Sequence, residues 1–389
     1  MNQNMNQNSN KDPFINFKNP IKYNDMLEVN KKLNIKTIST NKLVFVYSAP
    51  KVGSTSLISS LRIFASDTID VRHIHDEQML QVLIKVNNVT VNEIILFNKY
   101  IGRNVYVIDV YRSPIERKMS AFFEKIGAYH FNNTDELINN YNINRIIHRF
   151  NRIFPYICND DHFIDKYEIC VPEKFDYLNK YLLVEENGIT YLKLRLKDVE
   201  LWNNILTSIF GQRICVVKDY ETNKKTISSL YTKFKQNYKI PINFIAELKS
   251  NKYLNYYYSE SEVAAYINEW SRKSGPIVEP FSQSQYEVYN EITIENSYMD
   301  YIQIQHYMDE GCKCNACNIK RIKIKNNIIR GQQNVDRIYH TEAVNELLKT
   351  RMNRISVVNE QIRRKQTPQP KKGMKNFANE MKNIVTNKK

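Results

Sequence analysis

Residues 43–57 read LVFVYSAPKVGSTSL, and no other stretch limits the fold as tightly. The apolar run Leu43–Tyr47 has the length and composition of a buried strand. Ser48-Ala49-Pro50 ends it, because proline cannot donate to a central ladder. Lys51, Val52 and Gly53 follow, then the hydroxyls of Ser54, Thr55 and Ser56, then the apolar helix start Leu57-Ile58. A strand, a tight loop and a helix N-terminus make an anion cradle, because the first N–H groups of a helix have no partner inside it. Lys51 adds a point charge and the hydroxyls add donors, so the expected anion is a phosphate or sulfate. The loop is not a Walker A loop, since the lysine precedes the glycine and GxxxxGK[ST] is absent. The plain alternative is a strand-to-helix turn capped by a serine or threonine.

The chain around this loop alternates between strand and helix. A second strand is expected near Thr68–His73 and a third at Asn104–Tyr111, followed by Arg112-Ser113-Pro114. Pro114 suits a first helical turn, and Ile115, Met119, Phe122, Phe123 and Ile126 recur at helical spacing. Residues 134–150 and 223–271 read as mainly helical, 189–196 and 213–218 as further strands, and 272–300 as irregular. The pattern predicts an α/β fold: a P-loop-like central parallel sheet flanked by helices, with a small, mostly helical C-terminal extension. The expected organisation is a polar leader with a short helix (1–40), an α/β domain (41–280), a small Cys-containing module (281–340), an amphipathic helix (341–365) and a basic, mobile tail (366–389). In the 341–365 helix, Leu348, Ile355 and Ile362 stand seven apart, a pattern suited to an oligomer contact or to packing on the domain.

Composition removes several classes. The first dozen residues are polar without an apolar h-region, and no long apolar run follows. The expectation is a cytoplasmic protein with no signal peptide and no membrane span. Six cysteines in 389 residues do not form a disulfide framework. The net charge of +15 points first to nucleic acid. Its distribution weakens that reading, because residues 318–330 and 363–389 carry +13 of it and residues 1–317 are near neutral. Nucleic acid, an acidic membrane surface or a polyanionic acceptor is therefore a partner only through the basic C-terminal segments; a solvated tail explains them equally.

A second motif narrows the reading. Arg112 stands at the carboxyl end of a predicted strand, where open α/β sheets bind ligands, and Ser120 stands two helical turns later. An arginine and a serine so placed can both donate to one phosphate.

Here the sequence becomes recognisable. PKVGSTSL resembles the 5′-phosphosulfate loop of sulfotransferases, and VIDVYRSPIERKMSAFF is similar to their 3′-phosphate motif, R-x-P-x-x-R-x-x-S-x-[FY]. The order and the separation of about 60 residues also match. The similarity is closest to the carbohydrate-type enzymes, and among them to a sulfotransferase-like group assigned to capsular polysaccharide synthesis. LYTKFKQNYKIP (230–241) and KYLNYYYSESEVAAYINEW (252–270) resemble the end of that domain. The resemblance implies 3′-phosphoadenylyl sulfate (PAPS) as donor, 3′,5′-ADP as product, and transfer to an acceptor hydroxyl or amine, with a glycan hydroxyl as the first expectation. It assigns Lys51 to the bridging and sulfuryl oxygens, Val52, Gly53, Ser54, Thr55 and Ser56 to the 5′-phosphate loop, and Arg112 and Ser120 to the 3′-phosphate, with Arg117 supporting the helix or binding more weakly. Asp109 departs from the apolar or threonine residue expected in that strand, and an acid there needs a cation such as Arg103 or Lys51.

The acceptor must lose a proton, so a general base is required. In VRHIHDE (71–77), His73 and His75 point to one face of an extended chain. His75 is the first candidate and His73 the second, with Asp76 or Glu77 as alternatives. A third motif is CKCNAC. Cys312, Cys314 and Cys317, with His306 or His340 as fourth ligand, have the character of a structural zinc site, although a second C-x-x-C pair is missing; redox-active or merely packed thiols are the alternative. The other readings are a nucleotide-dependent kinase, disfavoured by the missing Walker lysine, and a non-catalytic nucleotide or nucleic-acid binding protein.

Overall fold

A computed structural model describes residues 12–130, 135–154, 156–217 and 226–285, with 322, 325, 326, 329 and 330. The chain divides into two compact units at Tyr339/His340, and the described residues all belong to the first. The candidate zinc ligands His306, Cys312, Cys314 and Cys317, the alternative His340, the 341–365 helix and the basic tail lie outside the described residues.

The central sheet runs β2-β1-β3-β5-β4, where β1 is Lys42–Tyr47, β2 Ile69–Ile74, β3 Val105–Tyr111, β4 Tyr181–Glu186 and β5 Ile189–Arg195. The helices, in chain order, are α1 Pro20–Lys32, α2 Ser54–Ala65, α3 Glu77–Ile84, α4 Val91–Tyr100, α5 Pro114–Glu124, α6 Asp135–Ile138, α7 Ile143–Ile153, α8 His162–Asp165, α9 Trp202–Phe210, α10 Ser228–Asn237, α11 Ile242–Ser250, α12 Lys252–Tyr257 and α13 Glu260–Arg272.

The expected parallel sheet is correct for four strands and needs correction at the edge, where β4 pairs antiparallel with β5. The cause is local. Asn187 and Gly188 join the two strands with φ of 52° and 71°, and two left-handed residues in succession make a hairpin whose twist matches its strands. A second correction concerns 213–218, expected to be a strand. Residues 213–217 join no sheet. Side chains of neighbouring helices satisfy their backbone instead: Ser60 Oγ accepts from Val217 N at 2.9 Å, and Thr207 Oγ1 accepts from Ile214 N at 3.1 Å.

Both faces of the sheet are buried. Val44, Val46, Val71, Ile108, Val110, Leu192 and Leu194 pack against α2 and against Trp202 and Leu206 of α9. The opposite face carries Leu43, Phe45, Tyr47, Val105 and Val107 against helices that include α1, α4, α5 and α7. The short helix expected in the leader is α1, and it belongs to this core. Met26 and Val29 are buried, and Asn30 and Asn98 exchange side-chain amide bonds of 2.9 and 3.1 Å inside it.

This topology creates a crevice at the sheet's carboxyl edge. From β1 the chain goes to β2 on one side, then returns to place β3 on the other. The crevice beyond the carboxyl ends of β1 and β3 is therefore a topological switch point, the usual ligand site of an open α/β sheet. The 48–53 loop follows β1 and Arg112 follows β3, so both sequence motifs arrive there.

Candidate active site

The loop after β1 is shaped by two left-handed residues, Lys51 at φ 70° and Gly53 at φ 97°. Gly53 is the N-cap of α2, and with no side chain it leaves the first turn without a side-chain cap. The alternative of a serine or threonine cap is thus not what the chain adopts. A Cβ on Gly53 would stand 2.8 Å from Leu196 Cδ1, a flexible side-chain end that can shift, so it is the left-handed φ that demands glycine here. Val52 is buried in the core and offers the crevice only its backbone, while Ser54 is buried and Thr55 and Ser56 are half-buried at the helix start.

Two arginines of the second motif hold this loop. Arg112 Nη1 donates to the Lys51 carbonyl at 2.9 Å, and Arg117 Nε donates to the Pro50 carbonyl at 3.1 Å. Arg117 also forms a two-pronged pair with Asp160, with both N···O distances 2.9 Å. The supporting role expected for Arg117 is therefore a tie between α5, the loop after β1 and the segment before α8. Arg112 lies beside the Tyr231 hydroxyl, and burial lowers its pKa while Tyr231 and Glu116 oppose that shift. Ser120 is buried on α5, two turns after Arg112.

Lys51 Nζ pairs with Glu124 Oε2 at 2.9 Å, at the far end of α5. Burial lowers the lysine pKa, Glu124 opposes the shift, and Arg112 adds to it. Lys51 and Arg112 are close enough to feel each other's charge, an arrangement that favours an anion between them.

His73 and His75 stand together as the alternation predicts, with ring centroids 4.4 Å apart. His73 is fully inside the sheet, and His75 is half-buried beyond the end of β2. His75 Nδ1 lies 2.6 Å from the Ser48 carbonyl, which can only accept, so Nδ1 carries the proton and Nε2 the lone pair. His162 Nε2 in turn donates to the His75 carbonyl at 2.6 Å. Burial pushes the His75 pKa down to about 4, keeping the ring neutral at neutral pH. The alternative bases have structural work: Asp76 Oδ1 caps α3 at Met79 N (2.7 Å), and Glu77 Oε1 accepts from Val91 N (3.2 Å).

Asp109 requires a correction. Its partner is neither Arg103 nor Lys51 but Lys193 on β5, at 2.6 Å, and Lys193 also pairs with Asp161. Arg103 is taken by Asp70 at 3.1 Å. Asp109 Oδ2 further accepts from Phe163 N at 3.0 Å, and Asp161 Oδ1 accepts from Tyr257 Oη at 2.7 Å and from Ile164 N at 3.1 Å. Burial raises the Asp109 carboxyl to about 6, opposed by Lys193. The network joins β3, β5, α8 and α12 beneath the crevice, and Asp160, next in sequence to Asp161, holds Arg117.

Residues that the sequence reading missed are Lys118, Asp160, Asp161, His162, Lys193, Leu196 and Tyr231. The segment CNDDHFID (158–165) carries a cluster of acids before a short apolar run, the one visible signal among them. Among the described residues, no group of three or more His, Cys, Asp or Glu side chains could hold a metal, and no helix is long and apolar enough to cross a membrane. No family model, no curated protein and no solved structure matches the chain.

Proposed function

We propose that the chain transfers a sulfuryl group from PAPS to a hydroxyl of a glycan, acting in the cytoplasm. The observation that carries this reading is the convergence of Lys51, the Gly53-capped start of α2 and Arg112 on one switch-point crevice. The residues fit the donor: Gly53 holds a left-handed φ that opens the helix start without a side chain, the first turn of α2 lacks a side-chain cap, and two cations stand beside it. When bound, the donor supplies an activated sulfuryl group with 3′,5′-ADP as leaving group.

The chain's own residues then divide the work. The backbone of Val52 and Gly53, with Ser54, Thr55 and Ser56, holds the 5′-phosphate at the helix N-terminus. Arg112 and Ser120 hold the 3′-phosphate, and the Tyr231 hydroxyl beside Arg112 is a further donor for it. Lys51 exchanges Glu124 for the bridging oxygen, where negative charge accumulates as the S–O bond breaks; stabilisation of that charge is the main catalytic effect in group transfers of this kind. His75 receives the acceptor proton on Nε2, its tautomer fixed by Ser48 and its backbone by His162. The Cys312/Cys314/Cys317/His306 cluster is proposed as a structural zinc site outside this machinery.

The experiment is direct. Purified protein is incubated with PAPS and a panel of oligosaccharides, and release of 3′,5′-ADP is followed by ion-exchange chromatography. The proposal expects acceptor-dependent release that Lys51→Ala suppresses. Release that is absent with every acceptor, or that persists in Lys51→Ala, overturns it.

A further inference from the structure

Lys118 is fully buried on α5, yet its Nζ has no hydrogen-bond partner among the described residues. It sits between two aromatic rings, 4.6 Å from the Phe150 centroid and 4.2 Å from that of Phe244. Ring faces attract a cation but replace only part of its hydration, so a buried ammonium without an acceptor is costly to the fold. Such a group calls for an explanation, and the cleft above it supplies one.

Lys118 lines a cleft of about 400 Å³ together with Lys51, Arg117, Phe154, Tyr156 and Asp160. The charges there nearly cancel. Lys51 is paired with Glu124 and Arg117 with Asp160, which leaves Lys118 as a surplus of one positive charge. The matching ligand group is therefore a monoanion. A phosphate dianion would leave the cleft over-neutralised. The outer wall is aromatic: Tyr156 is 52% exposed, and its ring lies 6.0 Å from that of Phe154. A flat apolar wall beside a few polar groups suits a sugar, whose C–H face packs on rings while its substituents meet the charges. Neither Arg112 nor Gly53–Ser56 lines this cleft, so it is separate from the phosphate positions, while Lys51 belongs to both.

We infer that this cleft binds the acceptor, and that the acceptor is a carboxylate-bearing saccharide whose ring packs on Phe154 and Tyr156 and whose carboxylate draws the Lys118 ammonium out from between Phe150 and Phe244. The assignment of the ligand as acceptor rests on the sulfotransferase reading; the recognition of an acidic sugar does not. Binding replaces an unpaired buried charge with a charge-assisted hydrogen bond, so discrimination against a neutral sugar comes from relieving that cost.

The test is calorimetric titration, without nucleotide, of a glucuronate-containing tetrasaccharide against a neutral glucose tetrasaccharide of equal length. The acidic sugar is expected to bind about tenfold or more tightly than the neutral one. Lys118→Met, which keeps the volume and removes the charge, is expected to abolish that preference. Tyr156→Ala, at an exposed position on the cleft wall, is expected to weaken both sugars. Equal binding of the two sugars by the wild type, unchanged preference in Lys118→Met, or tighter binding of a sugar phosphate than of the glucuronate would each overturn the inference. Because no nucleotide is present, such a failure is distinct from failure of the donor assignment, which is read by 3′,5′-ADP binding.

Discussion

Arg112 Nη1 donates to the backbone carbonyl of Lys51 across 2.9 Å, linking two residues that stand 61 positions apart. The bond joins the end of β3 to the loop after β1, so the cation proposed for one phosphate also holds the loop proposed for the other. Arg117 repeats the device one residue earlier, at Pro50. The two motifs are thus one mechanical unit.

Gly53 is the position in that unit least tolerant of change. Alanine there must adopt φ near 97° and meet Leu196 Cδ1. The methyl group lies at the end of a flexible side chain and can yield, so the backbone term dominates, at about 1–2 kcal/mol. Urea unfolding is expected to show that loss for Gly53→Ala. Adding Leu196→Ala should not restore stability, because the φ strain remains; full restoration would show that the contact, not the backbone, sets the requirement.

Lys118 predicts an unusual pH dependence. Burial between Phe150 and Phe244 lowers its pKa from 10.5 to about 7, while Cys158 and Glu247 oppose the shift. Between pH 7 and 10.5 the unfolded chain holds the proton more tightly, so stability rises with pH through that window. Lys118→Met removes the penalty. The variant should be more stable than the wild type by roughly 2–4 kcal/mol at or below pH 7, and its advantage should fade towards pH 10.5. Paired thermal melts across this range read the difference directly. An advantage independent of pH would show that burial does not lower the Lys118 pKa.

Lys193 presents the opposite case. It neutralises both Asp109 and Asp161 with no exposure to solvent. Lys193→Met leaves two buried carboxylates without their cation, at a cost of about 3–5 kcal/mol. Chemical denaturation of the variant should show that loss, and Asp109→Asn combined with Lys193→Met should recover part of it. A single variant as stable as the wild type would exclude the network as a support of the crevice floor.

His75→Ala tests the base. Turnover should fall by about 10²–10⁴, while 3′,5′-ADP affinity stays within about twofold. Full turnover in the variant would remove His75 from the mechanism and return attention to His73.

How much of this was legible in the sequence follows from what each feature depends on. β1 and its loop were readable because an apolar run, a proline and a glycine act locally. The hairpin at Asn187-Gly188 was equally local, and its N-G signal marks the antiparallel edge that the parallel expectation passed over. β5 alternates Ile189, Tyr191, Lys193 and Arg195 on one face, and that face is buried. Two cations there look solvent-directed until Asp161, 32 residues away, is brought beside Lys193. The stretch 213–217 has the β-branched composition of a strand, but side chains of α2 and α9 take its N–H groups first, and no local pattern reveals that. Among the site residues, Lys51, Gly53, Arg112 and the histidine pair were legible from motif and alternation. Asp160, His162 and Tyr231 were not, since they reach the crevice only through tertiary packing.

The central claim is that Arg112 and Lys51 serve two phosphates of one nucleotide. Its most direct measurement is calorimetric titration of the protein with 3′,5′-ADP and with 5′-AMP, in the absence of Mg²⁺. The account predicts that 3′,5′-ADP binds about tenfold or more tightly, and that Arg112→Ala makes the two ligands equivalent by removing the 3′-phosphate contact. Equal affinity of the wild type for the two nucleotides would contradict it.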